Sequence, residues 1–459
     1  MALATRPSIN DRTIADFGSM LRGSVIRPAD PGYDTARTLF NAMIDRRPAL
    51  IAHCMSVADV IAAVRFAGDH GLRIAVRGGG HNVAGTSLCD GGLVIDLSAM
   101  RAVRVDPACR TARAEGGATW RDFDHATQTF GLATTGGTIS TTGIAGLTLG
   151  GGQGYLMRKH GLACDNLISA DVVLADGSFV AASEKEHSDL FWALRGGGGN
   201  FGVVTAFEYR LHPVGPAMGG MVIHPVERAA EAFRFYREFQ RDAPDALVIL
   251  PTLLTAPDGA KVAALIAGYT GPVEDGEAAL APLRRFGPPV ADTIQPMPYT
   301  AVQRMLDDAF PPGHHHYWKS GYMRELSDGA IETMVAQFLN APSPLSAALL
   351  EPVGGAVARV APDATAYAHR NGQPSALIVA RWADPAEAER EIAWARAYWA
   401  AMQPYVEQAA YPNYLEAGAE GAERVRAAYG GNYARLTCVK AAYDPTNFFR
   451  GNQNIPPAS

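Results

Sequence analysis

Apolar positions recur at two different spacings along the first half of the chain. Between residues 57 and 64 they return at helical spacing, and Ser56 before them and Gly71 after them are typical helix ends. Residues 49–53 and 73–77 are short apolar runs that predict strands. The same criteria predict strands at 92–97, 101–105, 110–115, 170–174, 179–182 and 205–211, and helices at 35–43, 119–130 and from 186.

A glycine loop follows directly after the run 73–77. Residues 77–85 read Arg-Gly-Gly-Gly-His-Asn-Val-Ala-Gly, and such a turn allows successive N–H groups to form a nest for an anion, phosphate above all. No helix follows Gly80, so the strand–GxGxxG–helix order of a Rossmann site is absent. The loop is either a phosphate cradle followed by one nucleophilic side chain, His81, or a flexible surface loop with a solvated histidine.

Glycine is concentrated at two further places. Residues 136–154 contain eight glycines, and residues 196–199 with Gly202 form another cluster. Backbone without side chains allows a large ligand to lie directly on the chain. Tight packing of helices on a sheet is the alternative explanation, but the density of glycine in residues 136–154 favours the ligand.

The pattern changes at residues 213–220. Glycine clusters end there, and helices alternate with strands until about residue 410. We expect this region to be a second domain, a sheet backed by helices, that supplies the substrate side of a site. The predicted helices are 225–240, 275–286, 299–309, 328–339 and 385–405, and the predicted strands are 261–268, 315–323, 347–352 and 375–382.

Composition narrows the class of protein. A chain of 459 residues, 48% of them hydrophobic and 19% charged, is typical of two globular domains. The net charge of −6 offers no basic excess for nucleic acid or an anionic membrane. The N-terminal segment has no signal-like apolar run, and no stretch reaches the length of a membrane span, so we expect a cytoplasmic protein. The five cysteines lack a CxxC pair and are expected to be reduced thiols.

The histidine run at residues 314–316 is the one candidate for a metal site. Adjacent residues of a strand point to opposite faces, and no carboxylate at helical spacing follows the run. We therefore expect no metal.

Five motifs, taken together, point to one family. They are Arg77-Gly-Gly-Gly-His81-Asn82, Leu149-Gly-Gly-Gly-Gln-Gly-Tyr-Leu, Gly161-Leu-Ala-Cys-Asp165-Asn166, residues 195–204, and Tyr443-Asp-Pro-Thr-Asn447-Phe-Phe. Over nearly its whole length the chain resembles the FAD-linked oxidases of the berberine-bridge-enzyme-like group, within the vanillyl-alcohol-oxidase superfamily.

The resemblance implies an α+β, two-domain PCMH-type FAD-binding fold with an inserted substrate domain. Residues 1–213, with a core at about 46–213, would form the FAD-binding domain. Residues 214–414 would form the substrate domain, an antiparallel sheet backed by helices. Residues 415–459 would complete the FAD-binding domain.

The resemblance also implies that FAD is attached covalently to His81, through the flavin 8α-methyl group. Many members carry a second link from a cysteine, but the corresponding residue here is Ile139, which cannot form a thioether. We therefore expect single attachment. The other residues expected to contact FAD are Arg77, Gly78, Gly79, Gly80, Asn82, Thr138, Thr142, Gly143, Gly146, Gly150, Gly151, Asn166, Gly202, Val204, Tyr433 and Asn447.

The activity implied is oxidation of an alcohol, amine or activated C–H of a small molecule, with O₂ reduced to H₂O₂. In the family a residue at the position of Thr142 controls access of O₂, and threonine matches neither the permissive valine nor the restrictive leucine, so a dehydrogenase with another acceptor remains the alternative. A flavin-holding protein without catalysis is a third possibility. We expect a monomer or homodimer.

Catalysis needs a group that accepts the substrate proton. Family position suggests Tyr414 for this role and Asn413 for orienting the substrate, although Tyr414 would need a neighbouring cation or hydrogen bond and could instead only pack. Glu351, at a predicted strand end, either faces the flavin or is solvated.

Several weaker candidates lie nearby. Tyr317 and Lys319 are possible substrate contacts, and Leu377 stands where many plant relatives have a polar residue. Residues 367–370 match a family segment in which His369 and Arg370 could be structural. The tail residues 432–436 and 447–453 are expected to close over the flavin ring.

Overall fold

A computed structural model describes residues 9–416 and 421–458 of the chain. Residues 1–8 of the N-terminal segment, and residues 417–420 and 459 of the tail, lie outside the described residues. Helices lie at Asp11–Met20, Tyr33–Ala36, Val57–Asp69, Trp120–Gln128, Ile144–Leu149, Met157–His160, Ser188–Leu194, Ala229–Asp242, Val273–Arg285, Tyr299–Val302, Asp328–Phe338, Ala356–Arg359, Ala388–Met402, Gly421–Tyr429 and Tyr433–Tyr443. In the part described, no helix is long and apolar enough to span a bilayer.

Two sheets build the N-terminal half. The four-stranded sheet has the order Ser24–Ile26, Leu50–His53, Leu93–Asp96, Ile74–Arg77. The five-stranded sheet is antiparallel, with the order Val103–Asp106, Thr111–Glu115, Val203–Arg210, Leu167–Val173, Phe179–Ser183. The helix Val57–Asp69 lies between the sheets, because Val60 and Val64 are buried in one core with Ile95 and Val203.

The glycine loop begins at the edge of the four-stranded sheet where three parallel strands have their carboxyl ends. Leu93–Asp96 runs parallel to both Leu50–His53 and Ile74–Arg77, so the carboxyl ends of the three strands lie at the same edge. Ligands of open sheets with parallel strands bind beyond that edge. Residues 78–82 begin there.

The second half contains an eight-stranded antiparallel sheet. Its order is Ala291–Asp292, Ala217–Pro225, Lys261–Tyr269, Leu247–Thr255, Ala347–Glu351, Ser375–Trp382, His315–Tyr322, and Gln295–Met297 also pairs with Ala217–Pro225. The long helices that pack on one face share a core with it; these are Ala229–Asp242, Val273–Arg285, Asp328–Phe338 and Ala388–Met402. The predicted α+β class, with an antiparallel sheet backed by helices, is confirmed.

Two predicted helices are shorter than expected because tertiary contacts take over their backbone groups. The helix predicted at 35–43 is present only as Tyr33–Ala36, since Phe40 N–H donates to Gly80 and Ala42 N–H donates to the His314 carbonyl. The helix predicted at 299–309 ends at Val302, and its continuation supplies Asp307 to bind Ser140.

Other elements escaped prediction for local reasons. The strand Ala217–Pro225 contains Gly219 and Gly220, and the strand Leu247–Thr255 contains Pro251. Glycine and proline lower the strand signal. The tail, described from sequence only as aromatic and rich in asparagine, contains the helices Gly421–Tyr429 and Tyr433–Tyr443.

A buried ion pair fixes the tail to the third glycine cluster. Lys440 Nζ lies 2.6 Å from Asp444 Oδ2 and donates to the Asn200 carbonyl at 2.6 Å and the Phe449 carbonyl at 2.9 Å. Both charged side chains are fully buried. Removing one partner of such a pair leaves a buried charge without compensation.

We therefore expect Lys440→Met to lower the free energy of unfolding by about 3–5 kcal/mol. The control is Arg241→Met, which breaks a solvent-exposed pair with Glu238 and should cost less than about 1 kcal/mol. Chemical denaturation of both variants measures the difference, and equal small losses would contradict a structural role for Lys440.

Candidate active site

A cavity of about 250 Å³ lies where the three glycine segments meet. Its wall also contains Trp318 from the eight-stranded sheet, residues 411–414 from the segment after it, and Asn452 and Gln453 from the tail. The sequence segments that approach it are therefore far apart in the chain.

The glycine loop and the glycine-rich segment touch backbone to backbone. A Cβ placed on Gly79 would lie 2.4 Å from the Gly143 nitrogen, and one placed on Gly143 would lie 2.4 Å from the Gly79 nitrogen. Gly80 has a φ of +66°, a conformation that side chains disfavour. Only glycine permits this contact.

The loop presents donors that the protein does not use. Within the described chain, the backbone N–H groups of residues 78–82 donate to no protein acceptor. Successive free N–H groups in a turn attract phosphate. The loop therefore fits the pyrophosphate of a dinucleotide cofactor.

His81 lies within this run of donors, and its imidazole ring is uncharged. Burial lowers its pKa to about 4, so the ring is neutral at physiological pH and keeps a lone pair. Its Nε2 lies 3.2 Å from Thr141 Oγ1, and its ring stacks on Phe40 with centroids 3.9 Å apart. The ring is thus oriented by two contacts and chemically able to act as a nucleophile.

A carboxyl group and a phenol are paired at another part of the wall. The Tyr414 hydroxyl donates to Glu351 Oε1 at 2.9 Å, and the second oxygen of Glu351 is buried and has no partner among the described residues. Desolvation raises the pKa of Glu351 to about 7. Burial, with the charge of Glu351, holds the pKa of Tyr414 well above its usual range. The carboxyl group, not the phenol, is the one able to lose its proton near neutral pH.

The Asn413 side chain links its own segment to the glycine-rich segment through hydrogen bonds. Its Nδ2 donates to the Leu147 carbonyl at 3.0 Å and to the Tyr411 hydroxyl at 2.8 Å. The Tyr411 hydroxyl also accepts from Gly152 N–H at 2.8 Å. Tyr411 and Gln153 line the cavity and were not singled out from sequence, although Gln153 lies inside the second motif and Tyr411 lies two residues before Asn413. The Gln153 amide donates to Tyr367 at 3.2 Å.

The structure brings most of the predicted residues to this cavity. Glu351 reaches it through Tyr414. The wall includes Gly78, Gly79, Gly80, His81, Asn82, Thr138, Thr142, Gly143, Gly146, Gly150, Gly202, Val204, Asn413 and Tyr414, together with Ile139.

Five predicted cofactor contacts do not line it. Arg77 instead binds Asp96, with Nη2 2.5 Å from Oδ2, and the Ala36 carbonyl. Asn166 Nδ2 donates to the Leu162 carbonyl at 2.8 Å. These two side chains hold the loops behind the wall.

The other three residues, Gly151, Tyr433 and Asn447, pack against protein groups or lie in a turn and do not line the cavity. Gly151 packs under Tyr367, which lies 2.7 Å from where its Cβ would be. Tyr433 lies beneath the guanidinium of Arg426 at 5.1 Å. Asn447 has a φ of +53° in the turn that follows the last helix.

Strand alternation corrects the suggestion that Tyr317 and Lys319 face the substrate. Tyr317 is packed in the core shared with the helices, and Lys319 Nζ lies 3.1 Å from Glu416. Trp318, between them, points to the opposite face and lines the cavity.

The remaining candidates have structural partners. His369 Nε2 lies 3.0 Å from the Ala427 carbonyl, and Arg370 binds Asp165 at 2.7 Å. Leu377 packs in an apolar cluster. Among the residues described, no group of three or more His, Cys, Asp or Glu side chains is placed to hold a metal ion.

Comparisons with known proteins give a family likeness over the whole chain. A family model described as "FAD binding domain" matches residues 48–183, and one described as "Berberine and berberine like" matches residues 410–456. An FAD-linked oxidoreductase of Dictyostelium discoideum is 31% identical, over 97% of this chain and 97% of its own. (R)-6-Hydroxynicotine oxidase of Paenarthrobacter nicotinovorans is 33% identical, over 95% and 97%. The crystal structure of 6-hydroxy-D-nicotine oxidase from Arthrobacter nicotinovorans superimposes with a TM-score of 0.88 at 31% identity, covering 95% of this chain and 98% of that one.

The backbone contact predicts a sharp effect of one methyl group. Gly79→Ala would place a carbon against the Gly143 nitrogen, so we expect the flavin bound per protein to fall at least tenfold, as read from visible absorbance. Gly68→Ala is the control, because no atom lies within 4 Å of its Cβ. Equal flavin content in the two variants would contradict the role of the contact.

Proposed function

We propose an oxidase function for this chain, which belongs to the berberine-bridge-enzyme-like family of FAD-linked oxidoreductases. The enzyme would take a hydride from an alcohol, amine or activated C–H of a small organic substrate and reduce O₂ to H₂O₂. The predicted PCMH-type fold is confirmed by the same comparisons. The observation that carries the proposal is that one cavity is lined by the free N–H groups of residues 78–82, a neutral His81, and Tyr414, whose hydroxyl donates to the buried Glu351 behind it.

The cofactor side fits FAD. The free N–H groups of residues 78–82 would bind the pyrophosphate, and the unprotonated His81 ring has the lone pair that a bond to the flavin requires. Bound FAD supplies the hydride acceptor, which no amino-acid side chain can provide. Ile139 lines the cavity and offers no sulfur, which supports attachment through His81 alone.

The substrate side fits proton removal by a relay. The Tyr414 O–H already donates to Glu351, so a substrate O–H or N–H that donates to the Tyr414 oxygen would pass a proton on as Glu351 receives one. A free phenolate is not needed, which matters because burial and Glu351 oppose one. Tyr414 is thus the contact and Glu351 the terminal acceptor. Asn413 holds the segment that carries Tyr414.

Thr142 keeps a dehydrogenase as the second candidate, because it lines the cavity and carries a hydroxyl. The electron acceptor is tested by comparing oxygen consumption with reduction of an artificial dye, using any substrate that bleaches the flavin. The proposal predicts reoxidation of the reduced flavin by air at a rate that supports turnover. Turnover with dye but not with O₂ would identify a dehydrogenase.

The mode of attachment gives a test that needs no substrate. We expect acid-precipitated native protein to keep its yellow colour and His81→Ala to release all flavin into the supernatant. Ile139→Ala is the matched control in the same cavity and should keep the flavin attached. Flavin that stays in the precipitated His81→Ala protein would refute single attachment.

Glu351 gives a test based on pH. Its carboxylate form, which accepts the proton, is present above its pKa of about 7, so kcat/KM for a substrate that does not titrate should rise up to that pH and then level off. Glu351→Gln should lower kcat/KM by about 10²–10⁴-fold and remove the dependence.

The control for this experiment is Glu391→Gln. Glu391 is also buried and its pKa is also raised, but it lies on the helix Ala388–Met402, away from the cavity. The profile of this variant should match that of the native enzyme. An unchanged profile in Glu351→Gln would exclude Glu351 as the proton acceptor.

A further inference from the structure

Arg381 is a buried cation without a partner. Its side chain belongs to a residue only 8% exposed, and its Nε and Nη1 make no hydrogen bond or ion pair with any described residue. Nε and Nη1 are both fully buried. The guanidinium carbon lies 4.9 Å from the centre of the Phe310 ring, a cation–π contact.

A buried charge of this kind lowers the stability of the fold unless another group or a ligand compensates it. An ionised group removed from water without a partner destabilises the fold strongly. Arg370, another buried arginine, follows the rule, because both of its terminal nitrogens bind the Asp165 carboxylate at 2.7 and 3.0 Å. Desolvation alone lowers the pKa of Arg381, to about 10, and no acidic side chain opposes it. The charge of Arg381 is therefore balanced by no described acidic side chain, and an anionic ligand would balance it.

A second donor without a partner lies beside Arg381. His316 lies directly opposite Arg381 on the neighbouring antiparallel strand, so the two side chains stand on one face about 5 Å apart at Cβ. Trp318 Nε1 donates to His316 Nδ1 at 3.3 Å, which places the ring hydrogen on Nε2. That Nε2 is buried and has no partner within the described chain.

The histidine is uncharged but polar. Desolvation and the neighbouring Arg381 lower the pKa of His316 to about 3. A guanidinium fork beside a neutral N–H donor is the donor set that a carboxylate or phosphate requires. No described acidic side chain occupies it.

This donor pair adjoins the active-site wall. His316 and Trp318 lie on the same strand face, two residues apart, and Trp318 lines the cavity. On its other side the His316 ring stacks on Phe40, with centroids 4.6 Å apart, and Phe40 stacks on His81.

We propose that Arg381 and His316 form an anion subsite that binds an oxyanion of the substrate, a carboxylate or a phosphate ester. The inference rests on the proposed function, since it makes the substrate an organic acid with an oxidisable C–H at a distance from its charged group. The Tyr414–Glu351 pair would then serve the reacting end and Arg381 the charged end.

Binding of probe anions to the flavin-loaded protein tests this directly. Calorimetric titration with benzoate, phenyl phosphate, inorganic phosphate and neutral benzyl alcohol should show saturable binding of at least one of the anions and none, or binding at least tenfold weaker, of the alcohol. Preference for benzoate would identify a carboxylate substrate, and preference for either phosphate would identify a phosphate ester. Equal binding of benzyl alcohol, or no binding of any anion, would overturn the proposal.

Variants separate this subsite from general charge effects. Arg381→Met should weaken anion binding at least tenfold, and Arg381→Lys should weaken it less, because lysine keeps the charge but not the fork. Arg390→Met, which removes a guanidinium that is 56% exposed, should bind as the native protein does. Unchanged binding in Arg381→Met would overturn the proposal.

Stability gives an independent signature. Without added anion, Arg381→Met removes an uncompensated buried charge and should unfold at the same temperature as native protein or higher, whereas a structural arginine would leave the protein less stable. A lower unfolding temperature would count against the subsite. Flavin content is measured on the same samples. Absence of anion binding by native protein that carries flavin overturns this inference alone, and absence of flavin from native protein overturns the proposed function.

Discussion

The contact between Gly79 and Gly143 is the constraint on which the site depends. At this point two backbones approach so closely that a single Cβ on either residue would lie 2.4 Å from the other's nitrogen. The contact locks the loop that follows the strand Ile74–Arg77 against the segment that precedes the helix Ile144–Leu149. The free N–H groups and His81 lie within a few residues of Gly79, and both glycines line the cavity.

Removal from water then sets the chemistry of the side chains around this contact. The same cause, desolvation, lowers the pKa of His81 to about 4, raises that of Glu351 to about 7 and lowers that of Arg381 to about 10. Each shift disfavours the charged form, as expected for a site closed to solvent. The result is an uncharged imidazole, a carboxyl group that titrates near neutral pH and a buried guanidinium without an acidic partner among the described residues.

The sequence predicted the parts that follow local rules. Ser56 caps the helix Val57–Asp69 and Gly71 ends it, because these signals depend on residues close in the chain. The meeting of the three glycine segments at one cavity was expected from their shared composition and from the family resemblance, not from a local rule. The predictions that failed depend on contacts between residues far apart in the chain. Phe40 is not helical because its N–H donates to the Gly80 carbonyl, and Arg77 does not line the cavity because its guanidinium pairs with Asp96. The sequence also could not predict that Tyr414 pairs with Glu351, or that Arg381 Nε and Nη1 have no hydrogen-bond partner among the described residues. Both depend on how the strands pack.

One measurement tests the central claim most directly, namely that the glycine contact presents His81 as the sole covalent tether of a flavin. Native protein is denatured, digested with a protease, and each peptide is weighed by mass spectrometry. The account predicts that the peptide containing His81 carries one flavin and that the peptide containing Ile139 carries none. Free flavin with an unmodified His81 peptide, or flavin on any other peptide, would contradict it.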